Sequence, residues 1–182
     1  MTSTHKAIYT ICGSGGGLEG PMYSYQYLYE NMGNNIDIHM IDTDINSVST
    51  NVAKMMIKIR EHIESNKYDS IYLIGWSKGT AVVTQVAYFV NTFLKADYVK
   101  GIIYLAPQGA EIKLIFELNC RVAFIHGTSD SVLNHNISQR LYDNYKYEKE
   151  LYLLDNQSHD FSDNSSDICK VLYNVTVKMI LN

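Results

Sequence analysis

The chain is poor in proline and cysteine, has no long apolar run, and carries no excess of positive charge. Among 182 residues there are 2 prolines and 3 cysteines. Cys12, Cys120 and Cys169 are too few and too scattered for a disulfide framework, and no C-x-x-C pair offers zinc spacing. They suit a reducing compartment, so the expected location is the cytoplasm. No apolar stretch reaches the about 20 residues that cross a bilayer, so no transmembrane segment is expected. The first residues lack the apolar centre of a secretory signal. Basic residues are outnumbered, 15 Lys and Arg against 19 Asp and Glu, for a formal charge of -4. With no basic stretch, nucleic acid is not an expected partner. N-x-[ST] sequons, for example at Asn136 and Asn174, reflect an Asn-rich composition rather than glycosylation.

What is present is a folding composition, 46% apolar and 19% charged, which excludes wholesale disorder. The length suits one domain over residues 1–182. Strand-length apolar runs alternate with helix-period segments. Strands are expected at Ala7–Cys12, Ile36–Ile41, Ser70–Gly75, Gly101–Ala106, Arg121–His126 and Glu150–Leu154. Helices are expected at Pro21–Asn31, Val48–Ser65, Ser77–Leu94, Asn134–Tyr145 and from about Ser165 to Leu181. Several strands are apolar at nearly every position, as strands covered on both faces are. The alternation therefore predicts an α/β fold, three-layered and doubly wound, with a mostly parallel sheet of about six strands.

The stretch Gly75-Trp76-Ser77-Lys78-Gly79 is the most informative. It is a G-x-S-x-G pattern set between a buried strand and a helix. Composition alone would supply that pattern roughly 0.05 times in such a chain. A nucleophilic serine has to project above the sheet on a very sharp strand-to-helix turn, where side chains two residues either way would clash. The plain alternative is a Gly-Ser turn at a strand end, or a phosphate-binding loop.

A serine hydroxyl needs a base, and the base an orienting acid. For this elbow the chain order is Ser, then Asp or Glu, then His. Asp130 follows the fifth strand in His126-Gly127-Thr128-Ser129-Asp130, and His159 follows the sixth in Ser158-His159-Asp160. Both loops leave the sheet at the same edge as Ser77, where α/β sheets gather their chemistry. An Asp in such a loop is often only a turn residue; the order Ser77, Asp130, His159 is what lifts it. Asp155 is the fallback acid, and Asp160 a loop or cap residue. His126 reads as a structural residue at a strand end, and His135 as a weaker base than His159. His5, His39 and His62 read as surface or packing residues.

Acyl transfer places negative charge on an oxygen that two backbone N–H groups usually bind. Lys78 is one expected donor and Ser14, in the loop Gly13-Ser14-Gly15-Gly16-Gly17, the other. Gly13, Gly15 and Trp76 are expected to line the substrate. The same glycines raise a dinucleotide loop as a competitor, but Leu18 breaks the G-x-G-x-x-G spacing, and no Gly-Lys-[Ser/Thr] follows for a Walker loop. No cofactor and no metal are therefore expected. Tyr23, Tyr25, Tyr27 and Tyr29 offer an aromatic rim or, more simply, core packing.

The segments Cys12–Gly16, Gly75–Gly79, His126–Asp130 and Ser158–Asp160 together resemble the α/β-hydrolase superfamily, over nearly the whole chain. The elbow and the HG-x-x-D segment are similar to those of small esterases and thioesterases. The resemblance implies the sheet order 2-1-3-4-5-6, in a minimal core without a cap domain. It also implies that these segments serve as oxyanion loop, nucleophile, acid and base. Cys12 stands where many members carry histidine. Many members also insert a lid after the strand that ends at Ala106, whereas here about a dozen residues precede Cys120. An open site suits a small ester or an acyl group on a larger partner. The expected activity is hydrolysis of a carboxylic ester or thioester by Ser77, Asp130 and His159. The alternatives are a peptidase built from the same parts and a catalytically idle binding module of this fold. Oligomeric state and the identity of the acyl group are not encoded in these motifs.

Overall fold

The computed structural model describes residues 5–33, 36–44, 47–109 and 113–181, with the side chains of residues 164–167 left aside. Six strands run in one direction: β1 (Lys6–Ile11), β2 (Ile36–Ile41), β3 (Ser70–Trp76), β4 (Val99–Leu105), β5 (Arg121–Gly127) and β6 (Lys149–Leu154). They pair in the order β2-β1-β3-β4-β5-β6, every pair parallel. Tyr9 of β1 stands level with Leu73 on one side and His39 on the other. Four helices connect strands, α1 (Ser24–Asn31), α2 (Val48–Glu64), α3 (Gly79–Phe89) and α4 (Asn136–Asn144), and α5 (Ser165–Leu181) follows the last strand.

Alternate residues of each strand feed two cores. Tyr9, Leu73, Tyr104 and Phe124 pack with Met55 and Ile59 of α2, Val83 and Val86 of α3 and Leu141 of α4. Ile8, Ile74, Ile103 and Ile125 pack with Leu28 of α1 and Ile168, Leu172 and Val175 of α5. That is why β3 is buried at all seven positions: each side of it meets a helix layer. The three-layer, doubly wound, all-parallel sheet is the architecture expected from the sequence.

Three helix starts differ from expectation, the simplest being α4, which begins at Asn136 rather than Asn134. Pro21–Tyr23 is a separate 3-10 turn, and Met22 and Tyr23 sit at φ 50 and φ 61, so α1 begins only at Ser24. Tyr25 is the cause: its ring is fully buried and its hydroxyl donates to Ile11 O at 3.1 Å, which draws the chain inward before a helix can form. The third helix begins at Gly79 rather than Ser77, and its last turn, Val90–Leu94, widens to π geometry. The four tyrosines form no common rim. Tyr25 is core, Tyr27 packs edge-on against Tyr173, and Tyr23 and Tyr29 face solvent.

His39 and His62 lie in packing. The ring of His39 on β2 meets that of His62 on α2 at 4.8 Å, tilted by 38°, between Tyr9 and Tyr68. The Tyr68 hydroxyl donates to Asp37 Oδ2 at 2.5 Å, and its oxygen meets His39 Nε2 at 2.8 Å. Burial, the neighbouring His62 and Lys67 push the His39 imidazole down to about 4. Burial, with Lys67 and Lys58, lowers His62 as well. Between β4 and β5 the only helical piece among the described residues is the short 3-10 segment Lys113–Glu117, so no lid is built there. Among the described residues no helix is long and apolar enough to cross a membrane.

Candidate active site

β3 ends at Trp76 and α3 begins at Gly79, so the chain reverses within Ser77 and Lys78. Ser77 adopts φ 53, a left-handed conformation costly for a residue with a Cβ. Its N–H donates to Leu105 O at 2.8 Å, and Thr80 Oγ1 donates to its carbonyl at 2.5 Å. The flanking glycines are a steric requirement. A Cβ on Gly75 would stand 2.6 Å from Gly79 O, and one on Gly79 would stand 2.6 Å from Ile11 O. The N-terminus of α3 therefore abuts both β3 and the end of β1, and directs its partial positive charge at Ser77.

Asp130 and His159 arrive from the loops after β5 and β6. His159 Nε2 lies 3.0 Å from Ser77 Oγ, and His159 Nδ1 lies 2.7 Å from Asp130 Oδ2. The histidine side chain is 16% exposed and the aspartate side chain 0% exposed, so the chain of contacts runs from a half-open serine to a dry carboxylate. Asp130 Oδ1 accepts the N–H groups of Val132 and Leu133, each at 2.8 Å. Burial works against ionisation of Asp130. The Leu133 N–H, the His159 imidazole and the Val132 N–H outweigh it, and the carboxyl ends below its usual range. An ionised acid facing Nδ1 selects the tautomer that leaves Nε2 bare toward Ser77.

The glycine loop after β1 closes the site from the other side. A Cβ on Gly13 would stand 2.8 Å from Lys78 N and 2.8 Å from Ser77 Cβ, so only glycine lets the loop lie on the elbow. Ser14 and Gly15 follow it, exposed to solvent, with Gly15 at φ 80. Trp76 packs under the same loop, where a Cβ on Gly16 would stand 2.8 Å from its Cζ3. It is 9% exposed, its indole N–H donates to His159 O at 3.1 Å, and its ring centre lies 5.6 Å from that of the imidazole. It thus backs both the glycine loop and the histidine loop.

Beside the elbow, the Gln108 N–H donates to Thr80 Oγ1 at 3.3 Å. One residue on, Gly109 opens a groove of about 710 Å³ along α4, walled by Phe116, Ile137 and Leu141. His135 is placed at the N-cap of α4, and Asp155 is exposed in the turn after β6. Asp160 accepts from the Ser158 hydroxyl and the Ser162 N–H, bracing the turn around His159.

Sequence reasoning missed one neighbour of the site. His126 Nε2 lies 3.0 Å from Asp130 Oδ2, the same oxygen that meets His159. The signal was the HG-x-x-D spacing itself, which sets an imidazole four residues before the acid. Among the described residues no cluster of His, Cys, Asp and Glu has the geometry to hold a metal.

No protein-family model and no curated protein matches the chain. Solved structures do. Est1E from Butyrivibrio proteoclasticus superposes with a TM-score of 0.78 at 13% identity, over 99% of this chain and 90% of that one. A dienelactone hydrolase from Anabaena variabilis gives 0.75 at 11% identity, over 95% and 86%. An α/β serine hydrolase without a lid from Xanthomonas campestris gives 0.71 at 14% identity, over 96% and 83%. At such identities the likeness speaks for the fold alone, and that fold is the lid-less α/β-hydrolase fold.

Proposed function

We propose that the chain is a serine hydrolase that cleaves a carboxylic ester or thioester through an acyl-enzyme. The observation that carries the reading is the continuous contact from Ser77 Oγ to His159 Nε2 at 3.0 Å, and from His159 Nδ1 to Asp130 Oδ2 at 2.7 Å. It sits on an elbow strained at the serine. The fold it shares with esterases supports the same reading by analogy.

Ser77 Oγ attacks the substrate carbonyl carbon while His159 Nε2 takes its proton. The carbonyl oxygen gains the negative charge, and the N–H groups of Lys78 and Ser14 receive it. The carbonyl then re-forms, and the bond to the leaving oxygen or sulfur breaks. His159 returns its proton to that leaving group. Water attacks the acyl-serine by the same route in reverse and frees the acid. Asp130 stays ionised throughout, holding the imidazole and balancing its transient charge. Trp76 supports the loop that carries the base. The absence of a lid among the described residues suits a small ester or an acyl group borne on a larger partner. Three free thiols suit a reducing cytoplasm.

A fluorophosphonate probe tests the reading, since it reacts only with an activated serine. Wild-type protein takes up one label per chain, and Ser77→Ala takes up none. The same variant loses at least ~10³-fold in kcat/KM on ester or thioester substrates. Folded wild-type protein that neither labels nor turns over a series of oxygen and sulfur esters overturns the hydrolase and leaves a binding module.

A further inference from the structure

One carboxylate oxygen serves two imidazoles. Asp130 Oδ2 lies 2.7 Å from His159 Nδ1 and 3.0 Å from His126 Nε2. The mechanism above gives the second imidazole no step, yet its surroundings are fully specified. His126 and Ser138 both have no exposed surface. His126 Nε2 faces two acceptors, Asp130 Oδ2 and Leu133 O, the latter at 2.9 Å. A ring nitrogen between two acceptors carries the hydrogen and donates it. His126 Nδ1 faces the Ser138 hydroxyl at 2.8 Å and, being bare, accepts from it. Ser138 on α4 thus fixes the tautomer of a histidine on β5. The ionisable groups beside His126 are Asp130 and His159, from the loops after β5 and β6, while α4 presents the uncharged hydroxyl. Burial lowers the imidazole against the pull of the Leu133 carbonyl and of Asp130, which keeps it neutral.

We propose that His126 is a positioning residue for the triad: held by Ser138 as the Nε2–H tautomer, it donates to the Asp130 oxygen that receives His159 and fixes both the aim of that oxygen and the share of its charge that His159 meets. The kinetic side of this inference rests on the hydrolase reading; the structural side does not. The carboxylate is clamped by four donors: two backbone N–H groups on Oδ1 and two imidazoles on Oδ2. Rotation of the carboxylate breaks all four. Removing the His126 donor leaves the full charge of Oδ2 to His159. That charge favours the imidazolium, which cannot act as a base.

Three variants of the full chain test it: His126→Leu, His126→Gln and Ser138→Ala. Gln places an N–H near the position of Nε2, whereas Leu fills space and donates nothing. With His126→Leu, kcat falls roughly tenfold with KM nearly unchanged, an effect of the order expected for a partner behind a ligating or catalytic group. The acid limb of kcat/KM moves to higher pH by about one unit, the lower end of what one lost hydrogen bond to a charged acceptor is worth. His126→Gln restores the limb, and Ser138→Ala moves it in the same direction by less. A limb that stays put in His126→Leu, or loss of activity that Gln does not relieve, reduces His126 to packing and overturns the proposal. Nitrogen-15 NMR of the wild-type imidazoles reads the same claim without turnover or variants. His126 shows Nε2 protonated and Nδ1 bare; the opposite tautomer overturns the proposal. Failure of the hydrolase reading is separate, seen as wild-type protein without label or turnover, and leaves the tautomer measurement decisive.

Discussion

At the scale of single residues, Trp76 joins the proposed nucleophile and the proposed base. It precedes Ser77 in the chain and donates its indole N–H to His159 O. Trp76→Phe keeps a ring against the imidazole and removes the donor. The expected outcome is a folded protein whose kcat/KM falls about fivefold, the kinetic worth of one neutral hydrogen bond at ~1 kcal/mol, with little change in KM. Steady-state kinetics beside circular dichroism measure it, and unchanged kinetics would remove Trp76 from the support of the base. That Ser77, Asp130 and His159 would come together was legible in the sequence because a rigid elbow constrains its glycines, and because each partner follows a strand at one sheet edge. The second contact of Asp130 was only half so. The HG-x-x-D spacing sets His126 near the acid, but which of its nitrogens carries the hydrogen depends on α4 bringing Ser138 to β5, a contact between distant elements that no local pattern encodes. The orientation of Trp76, packed with Cys12, Ile74 and Phe161, likewise depends on contacts between distant elements.

At the scale of elements, strands were easier to read than helix starts. Four of the six strands are buried on both faces and announce themselves as continuous apolar runs. The edge strands β2 and β6 are only half-buried, yet were found as well, since β2 alternates Ile36, Ile38 and Met40 with polar residues and β6 carries the apolar run Leu151–Leu154. Helix starts depend on what the preceding turn must reach. Pro21 is a favourable first residue, but Tyr25 has to enter the core, and the helix gives way for one turn. α2 starts as its local signal directs, with the Ser47 Oγ accepting from the Thr50 N–H at 3.1 Å. Ser47→Ala should cost about 1 kcal/mol in urea unfolding, as the loss of an N-cap does. It should leave catalysis intact, since α2 carries none of the candidate catalytic groups. A change below a few tenths of a kcal/mol would mean that water replaces the cap without loss.

At the scale of the whole molecule, pH acts on stability through buried imidazoles. The folded chain holds His39 down to about 4, and holds His62 and His126 below their ordinary value. An unfolded histidine takes up its proton near about pH 6.5. Below that pH the unfolded chain binds more protons than the folded one, so stability falls as pH drops from about 6.5 toward about 4. Asp130, held low, sustains the fold until the medium is more acidic still. Thermal midpoints recorded from about pH 7 down to about pH 4.5 should decline steadily; a flat series would show that the His39–His62 cluster opens to water without unfolding. The two helix layers followed from the alternation of elements and the sheet order from the family resemblance, whereas this cluster depends on His39 of β2 and Tyr9 of β1 standing side by side. The distance along the chain between nucleophile and base has a consequence during synthesis. The two are separated by 82 residues, with the acid between them. On the proposed reading, a ribosome releases the serine long before the imidazole that would arm it, and a nascent or prematurely terminated chain ending short of residue 159 would carry an alcohol as inert as any other.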